Sequence, residues 1–231
     1  MEERVSIIIP TLNEEAVIVD VLASLRAWRR AGHEVIVVDG GSEDATVEAV
    51  RPLVDHVLIA APGRARQMNV GAEAATGSIL LFLHADTRLP EAALGLIIGA
   101  LDGGRLWGRF DVRLSGKAPL LRVVEWMMNR RSRLSGVATG DHAIFVYRNA
   151  FERVGGFPDI PLMEDVALSR SLKRLGRPAC LAEPAITSSR RWERFGIGRT
   201  ILLMWWLRLA YFLRADPRRL AALYRMSDDA R

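Results

Sequence analysis

Short apolar runs alternate with segments of helical periodicity over the first hundred residues, and this alternation constrains the fold more than any other feature. Apolar runs cover residues 5–10, 34–39, 56–60 and 78–86. Apolar residues recur at helical spacing over 17–28, 65–75 and 91–101, and Asp44 can cap a short helix that reaches about Leu53. Continuous apolar strands joined by helices predict a parallel sheet with helices on both faces.

The pattern changes after Gly103. Residues 103–116 alternate like a strand, 120–134 and 163–176 have helical spacing, 142–148 form another apolar run, and 149–157 are typical of a short helix and turn. No internal repeat and no linker rich in Pro, Gly or Ser interrupts this sequence. We therefore predict one domain over residues 1–190, made of the halves 1–103 and 104–190. An amphipathic helical extension is predicted over 191–231.

Composition indicates a folded globular protein. Half of the 231 residues are hydrophobic, 26% are charged, and the single cysteine, Cys180, excludes an internal disulfide. Thirty of the 32 basic residues are arginine, which is a bias of composition, so the net charge of +5 does not predict nucleic-acid binding. The apolar run 5–10 is too short for a signal peptide or a membrane span. We expect a cytoplasmic location.

Polar groups stand where two of the predicted strands end. The segment "LLFLHADTRLP" brings His84 and Asp86 to the exit of the fourth strand, and Asp39 ends the second strand in front of two glycines. Ligands of open α/β sheets bind outside the carboxyl ends of the strands. Asp39 and Asp86 are therefore expected to share one crevice, although 47 residues separate them.

Five segments resemble, in order, those of the inverting family 2 glycosyltransferases, whose fold is called GT-A. They are "IIIPTLNEE", "VIVVDGGSEDAT", "GRARQMNVGAEAATGSILLFLHAD", "GVATGDHAIFVYR" and "LMEDVALSRSLKRLG", and the match covers roughly residues 4–190. The later "SSRRWERFG" and the Trp-rich helix after it resemble a bacterial subgroup of small transferases. The resemblance implies a GT-A-type, mostly parallel sheet. Its first half, 1–103, would bind the nucleotide, and its second half, 104–190, the acceptor.

The resemblance implies a binding site for a UDP- or GDP-linked sugar. By position in the matched segments its contacts are Pro10, Thr11, Glu14, Asp39, Gly40, Arg64, Arg66, Asn69 and Ala85. Several of these residues have another explanation. An aspartate beside glycine often caps its own loop, an acid such as Glu14 suits the first turn of a helix, and helix packing explains the Asn-x-Gly motif at 69–71 equally well.

The resemblance also implies a divalent cation, Mn²⁺ or Mg²⁺, at Asp86. Such a cation bridges carboxylate and phosphate oxygens and stabilises charge on a departing diphosphate. The family usually has two aspartates around one residue, and here the first of them is His84. The histidine either ligates the cation through nitrogen, or hydrogen-bonds a phosphate, or is an ordinary polar group at a strand end.

Asp165 is implied to be the general base of an inverting transfer, with Glu164 and Asp141 in support. Acids at a helix start also complement the helix dipole, so this feature alone does not decide the role. On the acceptor side the resemblance implies His142, where related sequences have glutamine, together with Arg191 and Trp192. The glutamine of processive relatives is absent, so we infer no processivity.

The segment 200–213, "TILLMWWLRLAYFL", is too short to span a bilayer and contains Arg208. Tryptophan, tyrosine and flanking arginines on an apolar helix suit a contact in the plane of an anionic membrane. A core-packing helix or a homodimer contact explains the same pattern. The membrane interpretation predicts a peripheral protein at the inner face of the membrane.

Together these features predict a metal-dependent inverting glycosyltransferase that moves a sugar from a nucleotide-sugar to a small or lipid-linked hydroxyl acceptor. The alternative is a non-catalytic nucleotide-sugar-binding or membrane-scaffold protein, favoured by the aspartate lost at His84. A nucleotidyltransferase would need a Gly- and Lys-rich loop after the first strand, and a dehydrogenase a Gly-x-Gly-x-x-Gly. The segment "PTLNEEAV" contains neither.

Overall fold

The computed structural model describes the backbone of residues 3–229 and the side chains of residues 3–224. The strands are β1 (Val5–Thr11), β2 (Glu34–Asp39), β3 (His56–Ile59), β4 (Ile79–Phe82), β5 (Thr87–Arg88), β6 (Trp107–Leu114), β7 (Ile144–Tyr147) and β8 (Ala179–Thr187). The helices are α1 (Glu15–Ser24), α2 (Arg26–Arg30), α3 (Thr46–Val50), α4 (Arg64–Ala74), α5 (Ala93–Asp102), α6 (Pro119–Ser135), α7 (Arg148–Arg153), α8 (Glu164–Leu172), α9 (Arg190–Phe195), α10 (Ile197–Phe212) and α11 (Pro217–Asp229). Two 3₁₀ turns cover Arg51–Leu53 and Gly140–His142.

All eight described strands form one sheet in the order β3-β2-β1-β4-β7-β6-β8-β5. The pairs β1–β2, β1–β4, β2–β3 and β6–β8 are parallel, and the other three pairs are antiparallel. The predicted α/β architecture is thus confirmed, with β7 as the strand that reverses the direction of the sheet. The carboxyl ends of β1, β2 and β4 lie along one edge, as expected for parallel strands.

The predicted strand 78–86 is shorter in the structure. β4 ends at Phe82, where its antiparallel pairing with β7 ends. A turn follows, in which the Thr87 amide donates to the His84 carbonyl at 3.1 Å. This turn carries His84 and Asp86 away from the sheet plane and into the crevice.

The sequence did not predict β8, because Glu183 and Pro184 interrupt its apolar pattern. In the structure β8 pairs with β6 through a register shift between Phe110 and Asp111, and proline is tolerated at such bulges. The end of β8 pairs with the two-residue strand β5. β8 therefore delivers the start of α9 to the turn that carries Asp86.

Apolar clusters fill both faces of the sheet, which is why the inner strands are apolar throughout. Gly71 shows how closely α4 packs on β1. A methyl group at that position would lie 2.5 Å from Cγ2 of Ile8 and 3.0 Å from Cγ2 of Val38. Helix packing therefore explains this glycine of the Asn-x-Gly motif.

The C-terminal extension is helical and packs on the second half of the sheet. Trp192, Ile197 and Ile201 join an apolar cluster with residues of β6 and α6, and Leu207 of α10 packs against Met163. The opposite face of α10 is exposed and apolar, and it consists of Leu202, Trp205, Trp206, Leu209 and Phe212. None of the helices in the described part of the chain has the length and apolarity that crossing a bilayer requires.

Candidate functional site

Asp39, at the end of β2, is buried and uses its whole carboxylate within the protein. Oδ2 accepts hydrogen bonds from the amides of Gly41 (2.8 Å) and Ser42 (2.7 Å). Oδ1 accepts from the hydroxyls of Ser42 (2.5 Å) and Thr11 (3.1 Å). Four donors satisfy the carboxylate, so Asp39 caps its own loop in this structure and shapes the end of the crevice.

Gln67 is a residue of this edge that the sequence did not single out. Its Nε2 atom donates to the carbonyls of Thr11 (2.7 Å) and Val38 (2.8 Å) and so joins α4 to the ends of two strands. Gly40 permits the approach, since a methyl group there would lie 3.1 Å from Gln67 Nε2. Only the sheet register brings these atoms together, so no local pattern predicts the contact.

Glu14 and Asp86 meet at one guanidinium group. Nη2 of Arg190 lies 3.1 Å from Oε2 of Glu14 and 3.2 Å from Oδ2 of Asp86. Arg190 begins α9 and reaches this place because Thr187, at the end of β8, pairs with Thr87 beside the turn. The crevice thus contains two carboxylates that share one positive charge.

This pair of carboxylates suits a divalent cation that is bound together with a substrate. Within residues 3–224 no group of three or more acidic, histidine or cysteine side chains is arranged to hold a metal by itself. Mg²⁺ and similar hard cations are commonly held by one or two carboxylates plus substrate phosphates. Glu14 and Asp86 provide that donor set, and Arg190 shows that both oxygens point at one cationic position.

His84 faces Asp141, so the structure favours hydrogen bonding over metal ligation for this histidine. The Nδ1 atom lies 3.5 Å from Oδ1 of Asp141. The other side of the ring lies against Gly140, where a methyl group would come within 2.1 Å of Nε2. Burial by itself would raise the pKa of Asp141, but the hydrogen bond and charge of His84 outweigh it and lower that pKa to about 2. Asp141 is therefore ionised and a weak base.

Asp165 opens α8 and faces the same small cleft as His84. Its Oδ2 atom accepts from the amide of Gly140 at 2.7 Å, and its Oδ1 atom from the amide of Val166 at 2.6 Å. The cleft is lined by His84, Gly140, Glu164 and Asp165 together with apolar side chains. Asp165, the predicted base, therefore lies on the His84 side of the turn 84–86, and Asp86, the predicted metal ligand, lies on its other side.

Glu164 is buried next to Asp165. Burial raises the pKa of Glu164 well above its usual range, the charge of Asp165 adds to this effect, and the charge of Arg64 opposes it. Arg64, at the first position of α4, also helps to lower the pKa of Asp141. The nucleotide contact predicted for Arg64 stays a prediction.

Two residues predicted to contact the nucleotide are used elsewhere. Both ends of the Asn69 amide bond the backbone of Phe157, with Nδ2 donating to its carbonyl at 2.8 Å and Oδ1 accepting from its amide at 2.9 Å. Arg66 forms an exposed ion pair with Asp159 at 2.8 Å. These contacts anchor the loop after α7 to α4, and the nucleotide contact predicted for both residues stays a prediction.

Pro10 and Ala85 hold buried backbone positions. Pro10 pairs with Val38 near the end of β1, and Ala85 lies between His84 and Asp86 in the turn. Each can contact a ligand only through its backbone or a small apolar surface.

The acceptor-side predictions are also changed by the structure. The guanidinium of Arg191 stacks on the ring of Tyr224, 3.7 Å from its centroid, and Trp192 packs in the cluster that joins α9 to α6. His142 is completely buried, and its Nδ1 atom lies 2.9 Å from Oγ1 of Thr139. Arg191 and Trp192 therefore attach the C-terminal helices in this structure.

The fold is that of the GT-A glycosyltransferases. The structure is similar to that of TarS from S. aureus, with a TM-score of 0.65, 21% identity, and coverage of 80% of this chain and 60% of that chain. It is also similar to the mannosyltransferase PcManGT from Pyrobaculum calidifontis in complex with GDP-Man and Mn²⁺, with a TM-score of 0.61, 24% identity, and coverage of 81% and 57%. Glucosyl-3-phosphoglycerate synthase from Mycobacterium tuberculosis, in complex with Mn²⁺, UDP and glucosyl-3-phosphoglycerate, has a TM-score of 0.63, 20% identity, and coverage of 87% and 78%. At these identities the likeness establishes the fold.

The chain belongs to glycosyl transferase family 2, which residues 6–157 match. It is 28% identical to a probable glycosyltransferase, YdaM, of Bacillus subtilis in an alignment of 217 positions that covers 83% of this chain and 50% of that protein. It is 42% identical over 94 residues to a PGL/p-HBAD biosynthesis glycosyltransferase of Mycobacterium bovis, covering 38% of this chain and 37% of that protein. The chain thus spans half or less of the length of these curated relatives.

Proposed function

We propose that this protein transfers a sugar from a nucleotide-sugar donor to a hydroxyl group of an acceptor, with inversion at the anomeric carbon. The observation that carries the proposal is the turn 84–86. Asp86 on one side of it meets Glu14 and Arg190, and His84 on the other side borders the cleft of Asp165. The nucleotide-sugar would therefore bind on one side of the turn 84–86 and the acceptor on the other side.

Asp165 is the proposed general base. It takes the proton from the acceptor hydroxyl while the acceptor oxygen forms a bond to the anomeric carbon. The bond from that carbon to the diphosphate oxygen breaks, and the nucleoside diphosphate leaves with the electron pair. Asp141 is a poorer candidate for the base, because it is paired with His84 and the pKa of its carboxyl is lowered to about 2.

Glu14 and Asp86 are the proposed holders of a divalent cation, Mn²⁺ or Mg²⁺. The cation supplies positive charge to the diphosphate leaving group. PcManGT and glucosyl-3-phosphoglycerate synthase were solved with Mn²⁺, and TarS with UDP-GlcNAc, which supports a cation and a UDP- or GDP-linked donor here. In this chain, binding of the cation must break the ion pair of Arg190 with Glu14, the one with Asp86, or both.

The acceptor is proposed to be reached at a membrane surface. The exposed apolar face of α10 and the exposed Arg194, Arg199, Arg214, Arg218 and Arg219 on the same extension support a contact with anionic lipid. This contact fits a cytoplasmic protein at the inner face of the membrane and a small or lipid-linked acceptor.

Donor hydrolysis without an acceptor tests the proposal. UDP- and GDP-sugars are incubated with the protein and Mn²⁺ or Mg²⁺, and release of the nucleoside diphosphate is measured. We expect release from at least one donor, and a loss of about 10²–10⁴-fold in Asp165→Asn. The affinity of Asp165→Asn for the nucleoside diphosphate should stay close to that of the wild type.

Asp159→Asn is the control, because this exposed carboxylate forms a surface ion pair with Arg66. Binding of the donor without any release would favour the non-catalytic alternative. Wild-type turnover in Asp165→Asn would remove Asp165 from the mechanism. The configuration of the sugar that is released, read by NMR, tests inversion.

A further inference from the structure

Buried hydrogen-bond donors without acceptors occur on β6, on α6 and in the turn before β7. Within the described residues, Nε of Arg109, Nε and Nη2 of Arg131, and Nε2 of His142 are inaccessible to solvent and have no hydrogen-bond partner. Arg109 lies on β6, Arg131 on α6 and His142 in the turn before β7. Together with Arg208 of α10, these side chains form what we call the donor cluster.

His142 belongs to this cluster as a donor. The amide of Thr139 donates to its Nδ1 atom at 3.3 Å, so Nδ1 is an acceptor. Burial and the charges of Arg109 and Arg131 lower the pKa of His142 well below its usual value, so the ring is neutral. A neutral ring that accepts at Nδ1 carries its proton on Nε2, and that proton points at no described acceptor.

Within the described residues, an ion pair compensates the charge of only one of the three arginines of the cluster. Arg109 pairs with Asp111, which Arg133 also contacts at 2.7 Å. No carboxylate in the described part of the chain forms an ion pair with Arg131 or Arg208, although burial lowers the pKa of both guanidinium groups. Buried charges without partners reduce stability, so a set of them indicates a ligand that completes the pairing.

The turn that contains His142 contacts the proposed base, because the amide of Gly140 donates to Oδ2 of Asp165 at 2.7 Å. The charges of Asp165 and Asp141 both influence the pKa values of Arg131 and Arg208. Neither carboxylate forms an ion pair with these arginines within the described residues. Asp165 accepts hydrogen bonds from backbone amides, and Asp141 faces His84. The Nε2 atom of His142 and the Nε atoms of Arg109 and Arg131 thus have no acceptor within the described residues.

We propose that the donor cluster binds an oxyanion, a phosphate or carboxylate group, of the acceptor substrate. The inference rests on the proposed function, because that function puts the acceptor hydroxyl at Asp165 and the donor diphosphate at Glu14 and Asp86. A planar guanidinium matches the oxygens of phosphate and carboxylate. A neutral sugar hydroxyl does not, since it needs an acceptor for its own proton and adds no negative charge.

Binding of simple anions to the metal-free protein tests this inference. Inorganic phosphate and glycerol phosphate are titrated by calorimetry into the wild type, Arg131→Met, Arg208→Met and Arg130→Met. Arg130 is the matched control, because it lies on the same helix but is exposed over the ring of Trp126. We expect saturable binding to the wild type and to Arg130→Met, and at least tenfold weaker binding to the other two variants.

Thermal stability separates this role from a structural one. Arg131→Met removes a buried unpaired charge, so its melting temperature should be equal to that of the wild type or higher, and Arg131→Lys should keep part of the phosphate affinity. Affinity for the nucleoside diphosphate with Mn²⁺ should be the same in all the variants. If Arg131→Met and Arg208→Met weaken nucleoside diphosphate and phosphate alike, the cluster serves the donor and the inference is wrong.

Two further results are decisive. A wild-type protein that hydrolyses the donor but binds no phosphate or glycerol phosphate refutes the inference and leaves the proposed function intact, whereas absent hydrolysis refutes the proposed function itself. Dodecyl phosphate identifies the source of the group. Much tighter binding than that of glycerol phosphate indicates a lipid-borne phosphate, and equal binding indicates a soluble acceptor, and both support the oxyanion subsite.

Discussion

At the scale of single residues, the site separates into groups with different charge states. Asp141 is held ionised by His84, whereas burial and Asp165 favour the protonated form of Glu164. Glu164 and Asp165 both line the cleft, and the neutral form of Glu164 is favoured next to Asp165. On the other side of the turn, the guanidinium of Arg190 neutralises part of the charge of Glu14 and Asp86.

Glu164 should give the protein a pH-dependent stability. Its pKa in the folded state is raised above the ordinary 4.5, so the folded protein binds a proton that the unfolded chain releases in the window between the two values. Stability therefore falls as pH rises through this window. Urea unfolding of the wild type and Glu164→Gln at several pH values checks this, and we expect a flatter profile in the variant. Parallel profiles would contradict the raised pKa.

Arg190 should compete with the cation. The change Arg190→Ala removes two half-exposed ion pairs, each of which contributes roughly 0.5 kcal/mol. Because the cation no longer has to displace this guanidinium, Mn²⁺ should bind about fivefold more tightly in the absence of nucleotide. Titration followed by electron paramagnetic resonance measures this affinity. Arg194→Ala is the control, since this arginine of the same helix stacks on Phe195. Unchanged or weaker Mn²⁺ binding in Arg190→Ala would show that the cation binds elsewhere.

At the scale of elements, α4 organises the first half of the site. It packs on the sheet through Gly71, joins two strand ends through Gln67, and holds the loop after α7 through Asn69. These three residues share one helix, yet only Asn69 and Gly71 belong to a recognisable motif. The motif thus reflects how α4 is attached more than how a nucleotide is held.

Two glycine-to-alanine changes test the close packing of α4. Gly71→Ala should lower the free energy of unfolding by about 1–3 kcal/mol, because the new methyl group would overlap Ile8 in a filled core. Gly95→Ala, in α5, meets no atom within 4 Å and should raise it by up to about 1 kcal/mol through helix propensity. Urea unfolding measures both, and equal effects of the two changes would contradict the packing argument.

At the scale of the whole molecule, the sheet runs without a break through both halves, and the C-terminal helices are packed on the second half. Arg190, at the start of α9, contacts Glu14 and Asp86, and the extension that follows it packs on the second half of the sheet, so the extension is not a separate appendage. Its exposed apolar face lies on the same helix as Arg208. A membrane contact would therefore bring a lipid surface next to the proposed acceptor side.

Vesicle flotation tests the membrane contact. We expect the protein to float with phosphatidylglycerol vesicles at low salt, and less so with phosphatidylcholine or at high salt, because the electrostatic part is screened. Trp205→Ser combined with Trp206→Ser should strongly reduce flotation, since both side chains are more than half exposed. Leu134→Ser, an exposed apolar residue on α6, is the control. Absence of flotation at low salt would contradict the membrane contact and would indicate that the apolar face of α10 binds a second copy of the chain or another protein.

Sequence periodicity was sufficient for the α/β class, for most helices, and for placing Asp39 and Asp86 at strand ends on one edge of the sheet, whereas Glu14 and Asp165 were implied by the family resemblance. Alternating apolar runs determine which faces are buried, and parallel strands bring their carboxyl ends together whatever the loops contain. Motifs also located Asp39 and Asn69, but their carboxylate and amide contacts could not be read from spacing.

Only the tertiary structure decided how each polar group is used. The strand β8, the contact of Arg190 with two carboxylates, the self-capping of Asp39 and the donor cluster all depend on atoms that are far apart in the chain. Hydrogen bonds and ion pairs act over a few ångströms, so they follow from register and packing and not from local sequence. The chain's pattern therefore determined which residues reach the crevice, and its packing determined which of them remain free to bind a ligand.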